Sequence, residues 1–90
     1  MVSITIMSIG DELLEGDVVN TNSAWITRRL SRVGAKVRRI VVLPDDVQEI
    51  ASAIEEDTSD WIIITGGLGV TPDDVTKRGI ARALGRRMRI

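Results

Sequence analysis

Apolar positions along this chain change rhythm six times, and the changes mark out six elements. Ser3 to Ile9 places Ile4, Ile6 and Ile9 among mostly apolar neighbours and reads as a first strand ending at Gly10. Asp11 to Asp17 follows, with four carboxylates bracketed by Gly10 and Gly16, and is expected to be a loop. From about Asn20 to Val33 the apolar residues Ile26, Leu30 and Val33 recur at helical spacing. Asn20, Thr21, Asn22 and Ser23 offer capping oxygens ahead of them, and Gly34 supplies the stop. Lys36 to Leu43 is the second strand, ended by Pro44. Asp45 or Asp46 caps the next helix, whose stripe Val47, Ile50, Ala51 and Ile54 is the cleanest in the chain, with Gln48 or Glu49 as the capping-box partner. Trp61 to Ile64 is a continuous, mostly β-branched apolar run that suits a strand covered on both faces. A last helix is expected from Pro72 to about Leu84, closed by Gly85.

Strands that alternate with helices through short loops imply parallel pairing and right-handed crossovers, hence an α/β fold of pattern βαβαβα. Of the two serious strand orders, 3-2-1 puts every crossover on one face. Order 2-1-3 places the first two helices on opposite faces in a three-layer domain and opens a crevice between the carboxyl ends of the first and third strands. That second order brings the Gly10-Asp11-Glu12 segment against the glycine-rich Gly66-Gly67-Leu68-Gly69, and it is the expected one. In it the third strand has a free apolar edge, which invites association; a homo-oligomer follows, with Met88 and Ile90 near the contact.

Chemistry concentrates around those glycines. Gly66, Gly67 and Gly69 leave main-chain N–H groups open to a ligand, and Thr71, Pro72, Asp73 and Asp74 start a helix whose dipole favours anions. The spacing fits neither a dinucleotide fingerprint, which follows a first strand, nor a Walker A loop, which ends in Gly-Lys-Ser/Thr. With 90 residues, 43% hydrophobic and 28% charged, the chain is expected to form one soluble domain. It has no cysteine and no histidine, which excludes disulfides, thiolate nucleophiles, the usual zinc sites and an imidazole base. No apolar run is long enough to span a bilayer and no basic leader precedes the first strand, so a cytoplasmic protein without a membrane partner is expected. The net charge of −1 gives no field for nucleic acid, and the cations Arg28, Arg29, Arg32, Lys36, Arg38 and Arg39, like Arg86, Arg87 and Arg89, are read as solvated faces.

Thr65-Gly66-Gly67-Leu68-Gly69 followed by Asp74-Val75-Thr76 resembles the signature of the molybdopterin-binding, MoaB/MogA-like domain family. The Gly10-Asp11-Glu12-Leu13-Leu14-x-Gly16 segment, Thr21-Asn22-Ser23 and Pro44-Asp45-Asp46 look most like its CinA (competence/damage-inducible) N-terminal subgroup. The resemblance implies binding of a small phosphorylated ligand, either molybdopterin or a nucleotide diphosphate such as ADP-ribose, which some CinA-like members hydrolyse with a divalent metal. By position it implies that Gly66, Gly67 and Gly69 hold phosphate, with Thr65, Leu68, Thr76 and Asp11 also at the ligand. Asp45 and Asp74 match the family's functional carboxylates, and with Asp11 they would hold Mg²⁺ or another divalent metal and orient a water. Family domains continue past the point matching Ile90, so residues 1–90 resemble the first half of such a domain, with its pocket-completing loop absent. An oligomeric fragment without activity is the third reading.

Overall fold

A computed structural model of the chain describes residues 2–16, 20–66 and 75–83. In order these form β1 (Ser3–Ile9), α1 (Asp11–Leu14), α2 (Thr21–Arg32), β2 (Lys36–Leu43), α3 (Val47–Glu56), β3 (Trp61–Gly66) and α4 (Val75–Ala83). The three strands make one parallel sheet in the order β2-β1-β3, the expected doubly wound arrangement.

Strand β1 is central, and its residues from Ile4 onward are buried on both faces. One face carries Met7 and Ile9, which pack with Leu43 and with Ile50 of α3; Val41, Ala53, Ile54, Ile62 and Ile64 close around them. The other face carries Ile4, Ile6 and Ser8, with Ser8 tied to Asn20 at the start of α2. Parallel pairing puts Ser8 beside Thr65 and Met7 beside Ile64, so neighbours in register share a face. A bulge interrupts β1 against β2, where Ile4 pairs with Val37 and Thr5 already with Arg39, leaving Arg38 as the extra residue.

Helix α2 ends as expected at Gly34. The Ala35 N–H donates to the Leu30 carbonyl at 3.1 Å and the Gly34 N–H to that of Ser31 at 3.2 Å, a Schellman closure that needs the positive φ of Gly34. Its inward stripe differs from expectation, because Val33 is the C-cap residue and 77% exposed. Ser23, Ile26, Thr27 and Leu30 turn inward instead. The two hydroxyls cost little there, since Ser23 Oγ donates to the Asn20 carbonyl and Thr27 Oγ1 to the Ser23 carbonyl at 2.7 Å. A second correction concerns Asp11–Asp17, expected to be a loop throughout: Asp11 to Leu14 form a helical turn, with the Leu13 N–H on the Gly10 carbonyl and the Glu15 N–H on that of Asp11. Asp11 and Glu12, acidic residues in its first turn, favour that turn rather than oppose it.

Below the sheet, at the end remote from the glycines, α3 runs into a polar knot. The Asp57 carboxylate side chain is fully covered, accepts the Ser59 N–H at 2.8 Å and lies 3.9 Å from the Arg39 guanidinium. Burial pushes its pKa up, but hydrogen bonds from Thr5 and Ser59 and the charge of Arg39 together outweigh burial and hold it below the ordinary 3.8. A group depressed in the folded state contributes stability that is whole above the unfolded pKa and lost as pH falls through the folded one. Asp57→Asn is therefore expected to lower stability at neutral pH and to flatten the acid limb of a urea-midpoint titration below about pH 4. An unchanged acid limb in that variant would remove Asp57 from the account.

Candidate functional site

At the carboxyl ends of β1 and β3, where the strand order reverses, a cavity of about 160 Å³ opens between the sheet and α2. It is lined by Ser8 and Ile9 of β1, Glu12 and Leu13 of α1, Asn20, Thr21 and Asn22 at the start of α2, and Thr65 and Gly66 of β3. The position is the one that open α/β sheets use for ligands, because chain entering and leaving the sheet diverges there. Its walls are mostly uncharged hydrogen-bonding groups, with Glu12 as the carboxylate at the rim.

Local sequence explains each wall. Asn20 holds the N-cap position of α2 yet caps nothing, because its Oδ1 accepts instead from Ser8 Oγ at 3.2 Å. Among the described residues the N-cap side chain makes no capping bond to this twelve-residue helix, and its positive end lies at the cavity through Thr21 and Asn22. Of the four capping oxygens expected from the sequence, Asn20 Oδ1 and Ser23 Oγ thus serve other ends. On the opposite wall Gly66 adopts φ 80, and a Cβ there would fall on the Ile9 carbonyl oxygen. Glycine is what lets β3 turn away at the cavity without striking β1.

The acidic residues assemble beside the cavity rather than in it. Asp45 and Asp11 clasp each other: the Asp45 N–H donates to Asp11 Oδ1 at 3.0 Å, and the Asp11 N–H donates to Asp45 Oδ2 at 3.4 Å. The Gly10 N–H on the Leu43 carbonyl at 2.9 Å fixes this clasp to the ends of β1 and β2. Capping of α3 falls to Asp46, whose Oδ1 accepts the Glu49 N–H at 2.9 Å, so of the two aspartates only Asp45 lacks a role in the helix. Both clasped carboxylates are exposed. Gly67, Leu68, Gly69 and Asp74 lie outside the described residues, as do Asp73, Met88 and Ile90 and the side chain of Thr76. Among the described residues no group of three acidic side chains converges as a cation site. Ser8 and Asn20 are among the wall residues that sequence reasoning missed, together with Ile9, Leu13, Thr21 and Asn22. For the first two the available signal was a serine interrupting an apolar strand one residue from its end.

The basic residues disperse, as expected of a solvated face: Arg29 stacks over the Trp25 ring at 5.1 Å, Arg38 donates to Thr58 at 2.9 Å and Arg39 faces Asp57. Among the described residues no helix is long and apolar enough to cross a membrane.

A parallel sheet of order β2-β1-β3 with helices, and a cavity at its switch point, defines a doubly wound α/β domain. Residues 5–90 match the family model described as a probable molybdopterin binding domain, and the chain belongs to that family. A CinA-like protein of Citrifermentans bemidjiense is 48% identical over 89 residues, which are 97% of this chain and 22% of that protein. Among solved structures, the protein CinA of unknown function from Thermoplasma acidophilum superposes with a TM-score of 0.87 at 40% identity, over 98% of this chain and 53% of that one. The molybdopterin biosynthesis enzyme MoaB from Thermus thermophilus superposes with a TM-score of 0.81 over 91% of this chain and 54% of that one; at 22% identity this likeness shows the fold alone. The chain thus spans about half of each solved neighbour and less than a quarter of that CinA-like relative.

Proposed function

We propose that the cavity between β1, β3 and α2 binds a small phosphorylated heterocycle, molybdopterin or a nucleotide such as ADP-ribose. Its phosphate would lie against the start of α2 and the glycine segment that opens at Gly66. The observation that carries the reading is the positive end of α2, without a cap from its Asn20 side chain, facing Thr65 and Gly66 across a cavity at the switch point. Membership of the molybdopterin-binding family supports it, although the cavity in this chain is small. At about 160 Å³ it takes a fragment of a ligand, since whole ligand pockets run to roughly 300–1,000 Å³.

Calorimetry and thermal shift with a pterin monophosphate and with ADP-ribose, each with and without Mg²⁺, test this. A ligand at about a hundred times its Kd is expected to raise Tm by on the order of 10 °C. Asn20→Leu and Thr65→Val each remove one hydrogen-bonding wall and are expected to weaken binding roughly 2–10-fold. No shift with either ligand, or variants that bind like the parent, would dismiss the reading.

The clasped pair favours a second reading, metal-dependent hydrolysis of a nucleotide diphosphate. One oxygen of each carboxylate is used in the clasp, Asp11 Oδ1 and Asp45 Oδ2, leaving Asp11 Oδ2 and Asp45 Oδ1 as hard donors at the carboxyl end of the sheet. That donor set fits Mg²⁺, which characteristically takes one or two carboxylates and keeps several waters. Asp11 and Asp45, joined by Asp74, would hold the ion, and its charge would offset that of the phosphates. Release of AMP from ADP-ribose only when Mg²⁺ is present would select this reading over binding alone.

A further inference from the structure

Ser8 is the polar residue on a face of β1 that otherwise carries Ile4 and Ile6, and it is 1% exposed. An enclosed hydroxyl has one proton to place, and leaving it without an acceptor costs more than a methyl group in the same space would. Among the described residues its acceptor is Asn20 Oδ1, 3.2 Å away.

That bond settles which way round the Asn20 amide stands. Turned over, the amide would set its Nδ2 donor against the Ser8 hydroxyl and strand the buried proton. Oδ1 is therefore held on the strand and Nδ2 is directed away from it, with no described group accepting from Nδ2. Both Ser8 and Asn20 line the cavity. The same bond changes the end of α2. An asparagine at the N-cap ordinarily turns its Oδ1 back on the N–H groups of the first turn, whereas here Oδ1 is engaged on β1 and that cap is not made. The Asn20 main chain is fixed separately, by Ser23 Oγ donating to its carbonyl at 3.4 Å.

We propose that Ser8 is a positioning residue for the ligand cavity: by taking Asn20 Oδ1 it presents the two Nδ2 protons at the start of α2 as a wall of donors. Such a wall selects an acceptor-rich group, a phosphate, over hydroxyl or amino groups. Glu12, the carboxylate of the lining, has the opposite character and accepts only. A ligand that joins a phosphate to a sugar or heterocycle bearing O–H or N–H donors thus enters in one orientation, phosphate toward α2 and donors toward Glu12. The assignment rests on the ligand reading above and adds to it which end of the ligand goes where, and which buried residue decides it.

Two probe pairs read the wall: pterin monophosphate against the same pterin without phosphate, and ADP-ribose against adenosine. NMR titration measures micromolar and millimolar binding alike, and in the parent chain the Asn20 Nδ2 protons are expected to shift with the phosphorylated probe of each pair and to move little with the other. Asn20→Asp keeps an oxygen for Ser8 and a good N-cap residue, so its Tm stays near that of the parent. It exchanges donors for acceptors, and is expected to weaken the phosphorylated probes at least about tenfold and their counterparts less than about twofold. Ser8→Ala releases Oδ1 to cap α2, which offsets the lost bond in stability, and is expected to weaken the phosphorylated probes roughly 3–10-fold. In an Asn20→Ala background the same Ser8→Ala change is expected to alter their affinity less than about 1.5-fold, because Ser8 acts through the amide. Equal losses for both members of a probe pair in Asn20→Asp overturn the donor wall, and a Ser8→Ala effect undiminished without the Asn20 side chain overturns the positioning role; either result leaves the ligand reading standing. A parent chain that binds none of the four probes overturns both together.

Discussion

Gly66→Ala is expected to lower stability by about 3 kcal/mol, and Gly34→Ala by only about 1 kcal/mol. Both glycines have φ 80, so both substitutions place an L residue in the left-handed region at similar cost. The difference lies in what the new methyl group meets. At Gly34 nothing lies within 4 Å, whereas at Gly66 the added Cβ falls on the Ile9 carbonyl oxygen, part of the central strand and unable to swing aside. Domains of this size hold about 5–15 kcal/mol in total, so the Gly66 variant sits near the margin while the Gly34 variant does not. Urea unfolding of the two side by side measures the contrast. Equal midpoints would mean that β3 leaves the sheet by a route that does not depend on contact with Ile9.

The other large effect is expected where α3 meets α4. Ile50 is fully buried in the main core, and Ile50→Ala is expected to cost about 3 kcal/mol through lost contacts and the cavity left behind. Gly79 of α4 is packed so closely on it that a Cβ there would stand 2.6 Å from Ile50 Cγ2 and 3.4 Å from the Val47 carbonyl oxygen. Gly79→Ala gains about 1 kcal/mol in helix propensity and loses roughly 1–3 kcal/mol in crowding, so it is expected to be mildly destabilising. The pair is coupled only in part: with Ile50 shortened to alanine Cγ2 leaves, but Cβ, 2.7 Å from the added methyl group, stays. A double-mutant cycle is expected to show the double variant more stable than additivity by only about 0.5 kcal/mol. Strict additivity would show that α3 and α4 shift apart instead of repacking.

Much of the fold was legible because punctuation and periodicity agreed. Gly10, Gly34 and Pro44 end β1, α2 and β2 where their chemistry says they should, and the stripe from Val47 to Ile54 defined α3. Strand order followed from a tertiary argument about which arrangement covers the apolar strands, and β2-β1-β3 is what forms. The misses have two causes: local bonds from hydroxyls back to the helix backbone, and side chains whose partners lie far along the chain. Val33 kept the helical period but sat on the cap, so Ser23 and Thr27 took the inward positions by returning their hydroxyls to the backbone. Asn20 looked like a cap and became a wall of the cavity, because Ser8 twelve residues earlier takes its oxygen. The site was half legible. Thr65 and Gly66 stand on the cavity, and Asp11 and Asp45, named through the family resemblance, meet in the structure. Their reciprocal hydrogen bonds could not be read from two loops thirty-four residues apart.

Strand order also dictates a history for the chain. As the polypeptide leaves the ribosome, β1 emerges before both of its described neighbours, and β3 follows β2; the Ser3 and Asp60 contact spans 57 residues, against 34 for the Asp11 and Asp45 clasp. The extra loop-closure cost is only about 0.5 kcal/mol, so the longer closure is late in time rather than weak. Until β3 docks, one side of β1 is bare, and the strand that will carry Thr65 has no place to present it. The clasped aspartates, held by β1 and β2 alone, can form during synthesis, whereas the cavity exists only once the sheet is whole. A nascent chain therefore has its acidic edge in place before it has anywhere to hold a ligand, and pulse-labelled hydrogen exchange should find β1 and β2 amides protected before those of β3.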